Sequence, residues 1–292
     1  MPGRPDESDQ DGCTDGVRLG VMTTESADRA FAGNDMSAAR WFAEQPAWWE
    51  DHYAGAVDQA VEFLSGDGIS LAGSRVLDLG CGDGIISLGL LRRGGAAEVT
   101  GIDLVDVDLP FLQRVATAHG EPALREDERL RFRRSEPDMV PLPDESVDIV
   151  TAWSVFEHVS EPAKLLADVK RVLRPGGVLF IQIWPMFNSE HGSHLWPWFD
   201  VPFQHHVLDD AQMREHLRGR IGDAQLAEAM YDLYKSCNGA TVDDLQAALV
   251  DAGLYLAKVE LQSNAFHVPP ELQRVPISKL GISGVKLLAV RQ

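Results

Sequence analysis

The stretch VLDLGCGDG, residues 76 to 84, sets Gly80, Gly82 and Gly84 at alternate positions just after Asp78. Glycines at the end of an apolar run let backbone approach a ligand with no Cβ in the way, a geometry that suits several nucleotides. A dinucleotide fingerprint, G-x-G-x-x-G, needs its third glycine at position 85, where Ile85 stands, and the Gly-Lys-Ser/Thr of a phosphate loop is missing. Asp78 is awkward beside a phosphate and welcome beside a cation. Asp103, in VTGIDL, follows Gly84 by 19 residues, where a second strand returns beside the first. A carboxylate there can accept hydrogen bonds from both hydroxyls of a ribose. The plainer alternative is a strand-terminal aspartate capping the next helix.

A second concentration of reactive groups lies downstream. His191, His194, His205 and His206, four of the nine histidines, fall in sixteen residues together with Trp196, Trp198, Phe199, Phe203 and Asp200. A metal reading takes His191, His194, one of the later pair and a carboxylate, but no compact signature such as H-E-x-x-H supports it, and no metal ligands are assigned. Aromatics forming a lid over a small molecule, with one histidine as base or donor, is the reading their number favours. Ordinary packing is the third.

The elements that must position these groups follow from hydropathy. SRVLDLG, AEVTGIDL, LRFRRSE, SVDIVTAWS and GGVLFIQIW read as five strands, and ISLGLLRRG, DLPFLQRVATAHG and EPAKLLADVKRVL as the helices between them. Such alternation predicts an α/β, doubly wound, mostly parallel sheet with helices on both faces. The pattern stops over 185–239, which reads as a helical insertion after strand 5. TVDDLQAALVDAG resumes as a helix with Thr241 as N-cap and Gly253 beyond its end. LYLAKVELQ and GVKLLAVRQ follow with no helix between them, predicting an antiparallel pair at the edge of a seven-stranded sheet. Residues 29–65 read as an N-terminal helical cover broken at Pro46, and residues 1–28 as a disordered acidic tail. The core is then 66–184 with 240–292.

With these motifs in order, the sequence resembles the class I S-adenosylmethionine-dependent methyltransferases, over roughly 55–184 and 240–292. VLDLGCGDG matches that family's acidic-x-Gly-x-Gly-x-Gly loop, GIDL its ribose-binding acid, SEPDMVPLPDESVDIVTAWSVFEHV its third and fourth strand region, and VKRVLRPGGVLFIQIW its fifth-strand motif. The resemblance implies a Rossmann-like fold, S-adenosylmethionine as cofactor and S-adenosylhomocysteine as product. It implies cofactor contacts from Asp78 at the methionyl end, from the loop Gly80, Cys81, Gly82 and Gly84, from Asp103 and Leu104 at the ribose, and from Glu136, Pro137 and Trp153. Pro137 stands where a backbone donor to adenine is often found and has no N–H; the donor shifts to Asp138, or the ring is held by packing and Glu136.

Ligands of open α/β sheets bind outside the carboxyl ends of the strands, which directs attention to Glu157, His158 and the insertion. Methyl transfer requires alignment of the acceptor and, for a hydroxyl, removal of a proton, for which histidine is the commonest base. The candidates are His158, His191, His194, His205 and His206, and a structural role for His158 is an equal alternative. The expected reaction is O-methylation of a small molecule that is aromatic or hydrophobic. An N- or C-acceptor, a metal-assisted reaction, a protein substrate and a non-catalytic cofactor-binding module are the alternatives.

The net charge of −19 argues against nucleic acid. The densest basic stretch, LREDERLRFRR at 124–134, is interleaved with Glu126, Asp127 and Glu128. No apolar run approaches the roughly 20 residues that span a bilayer. Cys13, Cys81 and Cys237 are few and far apart, which suggests a reducing compartment, hence the cytoplasm. A homodimer is left open.

Overall fold

The computed structural model describes residues 41–43, 45, 47–125 and 129–292; the acidic tail, most of the cover's first half and Pro46 lie outside them. A π-helical stretch, Glu50–Ala56, runs into α1, Val57–Ser65. Strand and helix then alternate as β1 (Arg75–Leu79), α2 (Ile85–Arg92), β2 (Glu98–Asp103), α3 (Leu109–Ala118), β3 (Leu130–Arg134), β4 (Val147–Trp153), α4 (Pro162–Val172) and β5 (Leu173–Ile183). Helices α5 (Gln204–Val207), α6 (Asp210–Ile221) and α7 (Ala224–Ser236) occupy the region read as an insertion. The chain finishes with α8 (Val242–Asp251), β6 (Tyr255–Gln262), α9 (Ile277–Leu280) and β7 (Gly284–Val290).

Seven strands form one sheet in the order β3-β2-β1-β4-β5-β7-β6. The first five are parallel; β7 runs antiparallel to both β5 and β6. The strand order reverses between β1 and β4, the switch point where such sheets leave a crevice at their carboxyl ends.

Both faces are covered. Leu77, Val150, Leu179 and Ile181 pack under Leu166 and Val169 of α4 and Leu249 of α8. Val76, Ile149, Val178 and Phe180 meet Val57, Ala60 and Leu64 of α1 and Leu90 of α2. Strands buried on both faces need near-continuous apolar runs, which is what VLDL and VLFIQI supply. Local signals set the helix ends: Asp108 caps α3 by accepting the Phe111 N–H (2.9 Å), and Thr241 with Asp244 forms a capping box on α8.

The segment after β5 has its own apolar cluster, in which Leu195, Trp198 and Phe199 pack with Met213, Leu217, Met230 and Tyr231. Trp41 lies against Trp198 with ring centroids 4.6 Å apart, so the N-terminal helical residues and this segment touch.

Candidate functional site

At the carboxyl ends of β1, β2 and β4 a cavity of about 300 Å³ opens, at the small end of the roughly 300–1,000 Å³ typical of ligand pockets. Its walls include Gly80, Asp103, Leu104, Glu136, Pro137 and His158, six residues singled out from the sequence. Gly80 has φ +69°, and a Cβ there would stand 2.4 Å from a Val155 methyl. Only glycine lets the loop pass this wall.

Asp103, at the end of β2, holds the loop directly. One oxygen accepts the Gly82 N–H at 2.9 Å and the other the Val105 N–H at 3.2 Å. Burial raises its carboxyl above the ordinary range, while those N–H groups pull it back. The loop closes at Gly84, which precedes α2 with φ +80°; a Cβ there would lie 2.8 Å from the Phe132 ring. The loop is also tied to the N-terminal helical residues, because the Trp48 indole N–H donates to Asp83 (2.8 Å).

Five expected cofactor contacts, Asp78, Cys81, Gly82, Gly84 and Trp153, do not line the cavity. Asp78 is 2% exposed and sits beneath the loop, where it accepts the Ser87 hydroxyl (2.5 Å) and faces Thr151 (3.4 Å). Burial pushes its carboxyl up to about 7. Successive side chains of a strand point to opposite faces, so Leu79 lines the cavity and Asp78 points away from it. Trp153 is turned by the same alternation toward Phe180, with centroids 5.6 Å apart. Cys81 is buried under the loop and does not line the cavity. On the adenine side Asp138 pairs with Lys164 and is absent from the wall, whereas Met139 lines it.

Among the described residues, His158 is the one candidate histidine in the cavity wall. Its Nδ1 lies 2.7 Å from the Ser236 hydroxyl, and burial lowers its pKa to about 4. Beside it are His194, with ring centroids 5.5 Å apart, and Glu157, whose carboxylate is 3.7 Å from His194 Nε2. Burial holds Glu157 up at about 8 and His194 down at about 3. His205 and His206 surround Phe187 instead; His205 Nε2 is 2.8 Å from the Phe187 carbonyl. His191 and His194 both lie near enough to His205 to act on it electrostatically, so the two groups adjoin.

The metal set weighed in the sequence but not assigned, His191, His194, one of the later pair and a carboxylate, is not the donor group found among the described residues. The donor set that does come together is His158, His194 and Cys237, with ligand atoms all within 4.8 Å of one another. Sequence reading missed the segment Ser236–Asn238. The Asn238 side chain donates to the carbonyls of Phe156 (2.7 Å) and Val159 (2.8 Å), and its N–H to that of Glu157 (2.6 Å). No spacing marks those three residues, because their partners lie about eighty positions away.

The cavity walls suit an adenosyl ligand. The carboxylate of Asp103 sits at the end of β2 for a ribose, the Glu136 carboxylate follows β3 for a base, and the glycine loop offers a close approach for the remainder. A methyltransferase-domain model matches residues 77–181. A ubiquinone biosynthesis O-methyltransferase of Xanthomonas oryzae pv. oryzae (strain PXO99A) is 40% identical over 114 residues, 39% of this chain and 44% of that one. A protein of the same name from Marinobacter nauticus is 31% identical over 169 residues, 51% of this chain and 64% of that one. The chain thus spans about half the length of these curated relatives. The solved structure of an S-adenosylmethionine-dependent methyltransferase from Aquifex aeolicus aligns with TM-score 0.52 and 18% identity, over 89% of this chain and 100% of that one, a likeness of fold. Motifs, sheet order and matched domain agree: residues 77–181 match a methyltransferase domain, and the sheet has the fold of an S-adenosylmethionine-dependent methyltransferase.

Proposed function

We propose that this protein transfers a methyl group from S-adenosylmethionine to a hydroxyl oxygen of a small, aromatic or hydrophobic molecule. The observation that carries the reading is one cavity walled by Gly80 of the glycine loop, Asp103, Glu136 and His158. When bound, the cofactor supplies a sulfonium methyl, an electrophile that needs no further activation. Asp103 holds the ribose hydroxyls with the lone pairs its two backbone donors leave free. Glu136 and the side chains of Leu104 and Met139 hold the adenine, Pro137 offering no N–H. The glycine loop lines the methionyl end, and Asp78 braces that loop from beneath through Ser87.

His158 marks the acceptor side, and histidine assistance comes from it and the buried groups behind it. The relatives named as ubiquinone biosynthesis O-methyltransferases support an oxygen acceptor. The excess of acidic residues over basic ones, 45 to 26, supports a substrate other than nucleic acid. Among the described residues no helix is long and apolar enough to cross a membrane.

The test is incubation with S-adenosylmethionine and a panel of phenols, catechols, anilines and carboxylates, with product S-adenosylhomocysteine quantified and methyl position assigned by mass spectrometry and NMR. O-methylated phenols formed by the wild type, and lost in Asp103→Ala, are the expected result. Methylation confined to nitrogen or carbon would overturn the oxygen assignment. Cofactor binding without transfer to any member would favour a binding module.

A further inference from the structure

Behind the cavity wall, two segments distant in sequence converge. The turn after β4 contributes Glu157 and His158; the segment after β5 contributes His194 and Cys237. Three of their polar atoms, both Glu157 carboxylate oxygens and His194 Nε2, are buried without a hydrogen-bond partner. The Ser154 hydroxyl, close enough to temper Glu157, donates to the Trp184 carbonyl (3.1 Å) instead. Leaving one such group unsatisfied costs about 1–3 kcal/mol, so three in one place call for a common partner. At 3.7 Å the His194–Glu157 separation is too long for a hydrogen bond.

A cation held between the two segments would partner all three atoms. His158, His194 and Cys237 already bring their ligand atoms within 4.8 Å of one another, a small contraction away from a tetrahedral shell, whose neighbouring donors stand about 3.3–3.8 Å apart. We propose that His158, His194 and Cys237 bind a divalent metal ion of the zinc class, with the Glu157 carboxylate beside it. Thiolate and carboxylate together would neutralise a dication, so the buried site would carry no net charge.

The surroundings are built for this. Ser236 Oγ lies 2.6 Å from the Leu233 carbonyl and 2.7 Å from His158 Nδ1. Its single proton goes to the carbonyl, so the oxygen accepts from Nδ1–H, which fixes His158 in the Nδ1–H tautomer that metal-bound histidines adopt. Asn238 pins the Cys237 segment to the carbonyls of Phe156, Glu157 and Val159. His194 holds φ +60°, a conformation that non-glycine residues adopt sparingly and that concentrates at functional positions.

Three protein ligands leave one coordination position, the arrangement of catalytic rather than structural zinc. The role of that position rests on the methyl-transfer reading. A metal held there would polarise an acceptor hydroxyl, and Glu157 is placed to take its proton, so that the oxygen would bond to the methyl carbon as the sulfur–carbon bond breaks and S-adenosylhomocysteine would be released. Histidine assistance then takes the form of ligation by His158.

The test uses Co²⁺ on the metal-stripped full chain, read by absorption, with S-adenosylmethionine binding measured calorimetrically on the same samples. One cobalt per chain with a thiolate-to-cobalt charge-transfer band is expected. Cys237→Ser should abolish the band, and Cys81→Ser, which changes the other buried cysteine, should keep it. His194→Asn, which tolerates the positive φ, should weaken affinity by more than about tenfold, the range that even outer-shell losses reach. Circular dichroism of each variant separates lost ligands from lost fold. No stoichiometric cobalt in the wild type, or a band that survives in folded Cys237→Ser, would overturn the site. A cobalt site without cofactor binding would uphold the metal and overturn the methyl-transfer reading alone.

Discussion

Replacing Asp103 with asparagine isolates the cofactor's ribose anchor. In the wild type the two carboxylate oxygens each accept one backbone N–H, from Gly82 and Val105, at 2.9 and 3.2 Å. Each keeps a lone pair for a ribose hydroxyl. The amide turns one of those oxygens into a donor and removes the charge that strengthens the remaining contact. Hydrogen bonds to a charged group contribute about 1.5–3 kcal/mol each, so losing one and weakening the other costs about 2–3 kcal/mol, a rise in Kd of about 30- to 150-fold. Burial already raises the Asp103 carboxyl, so removing its charge relieves a desolvation cost that offsets the weaker bonds to Gly82 and Val105. The Tm of the ligand-free protein should therefore move little. Calorimetric titration with S-adenosylhomocysteine gives the first quantity and a thermal scan the second. An unchanged Kd, or weakened binding that merely tracks a collapsed Tm, would refute the reasoning.

Gly101 lies under the loop, where an added Cβ would meet Phe132 at 2.8 Å, Ser87 Oγ at 2.8 Å and Cys81 Sγ at 2.9 Å. Gly101→Ala should cost about 1–3 kcal/mol in urea unfolding, with an unchanged value showing that the pocket relaxes freely. Asp78 has its folded pKa raised to about 7 from an ordinary 3.8. The folded state holds that proton more tightly, so its stabilisation is full below the ordinary range and is lost as pH rises through about 7. Wild-type stability should fall by up to about 4 kcal/mol across that window and Asp78→Asn should flatten the decline; parallel profiles would contradict this. Asn238→Ala deletes the amide donor shared by the Phe156 and Val159 carbonyls and should cost about 2–3 kcal/mol by the same urea assay. A loss within error of zero would show that water replaces the amide.

The glycine loop was readable because its motif answers a local demand, a close backbone approach at a strand end. The helix on 242–251 was readable from Thr241 and Asp244 for the same reason. The orientation of Asp78 and Trp153 was not. Strands covered on both faces show no polar–apolar alternation, so their parity is fixed only by which helix packs where. The histidines failed differently: spacing grouped His191, His194, His205 and His206, but tertiary contact joins His194 to His158 and Cys237, 36 and 43 positions away in sequence. The unpartnered atoms of Glu157 and His194 become visible only once these segments meet.

A crystal structure of the full chain with S-adenosylhomocysteine tests the central claim most directly. The adenosyl moiety should lie in the cavity, with ribose hydroxyls on Asp103, adenine against Glu136 and Met139, and the sulfur on the side of His158. Product bound anywhere else, or a cavity that stays empty at saturating ligand, would contradict that claim.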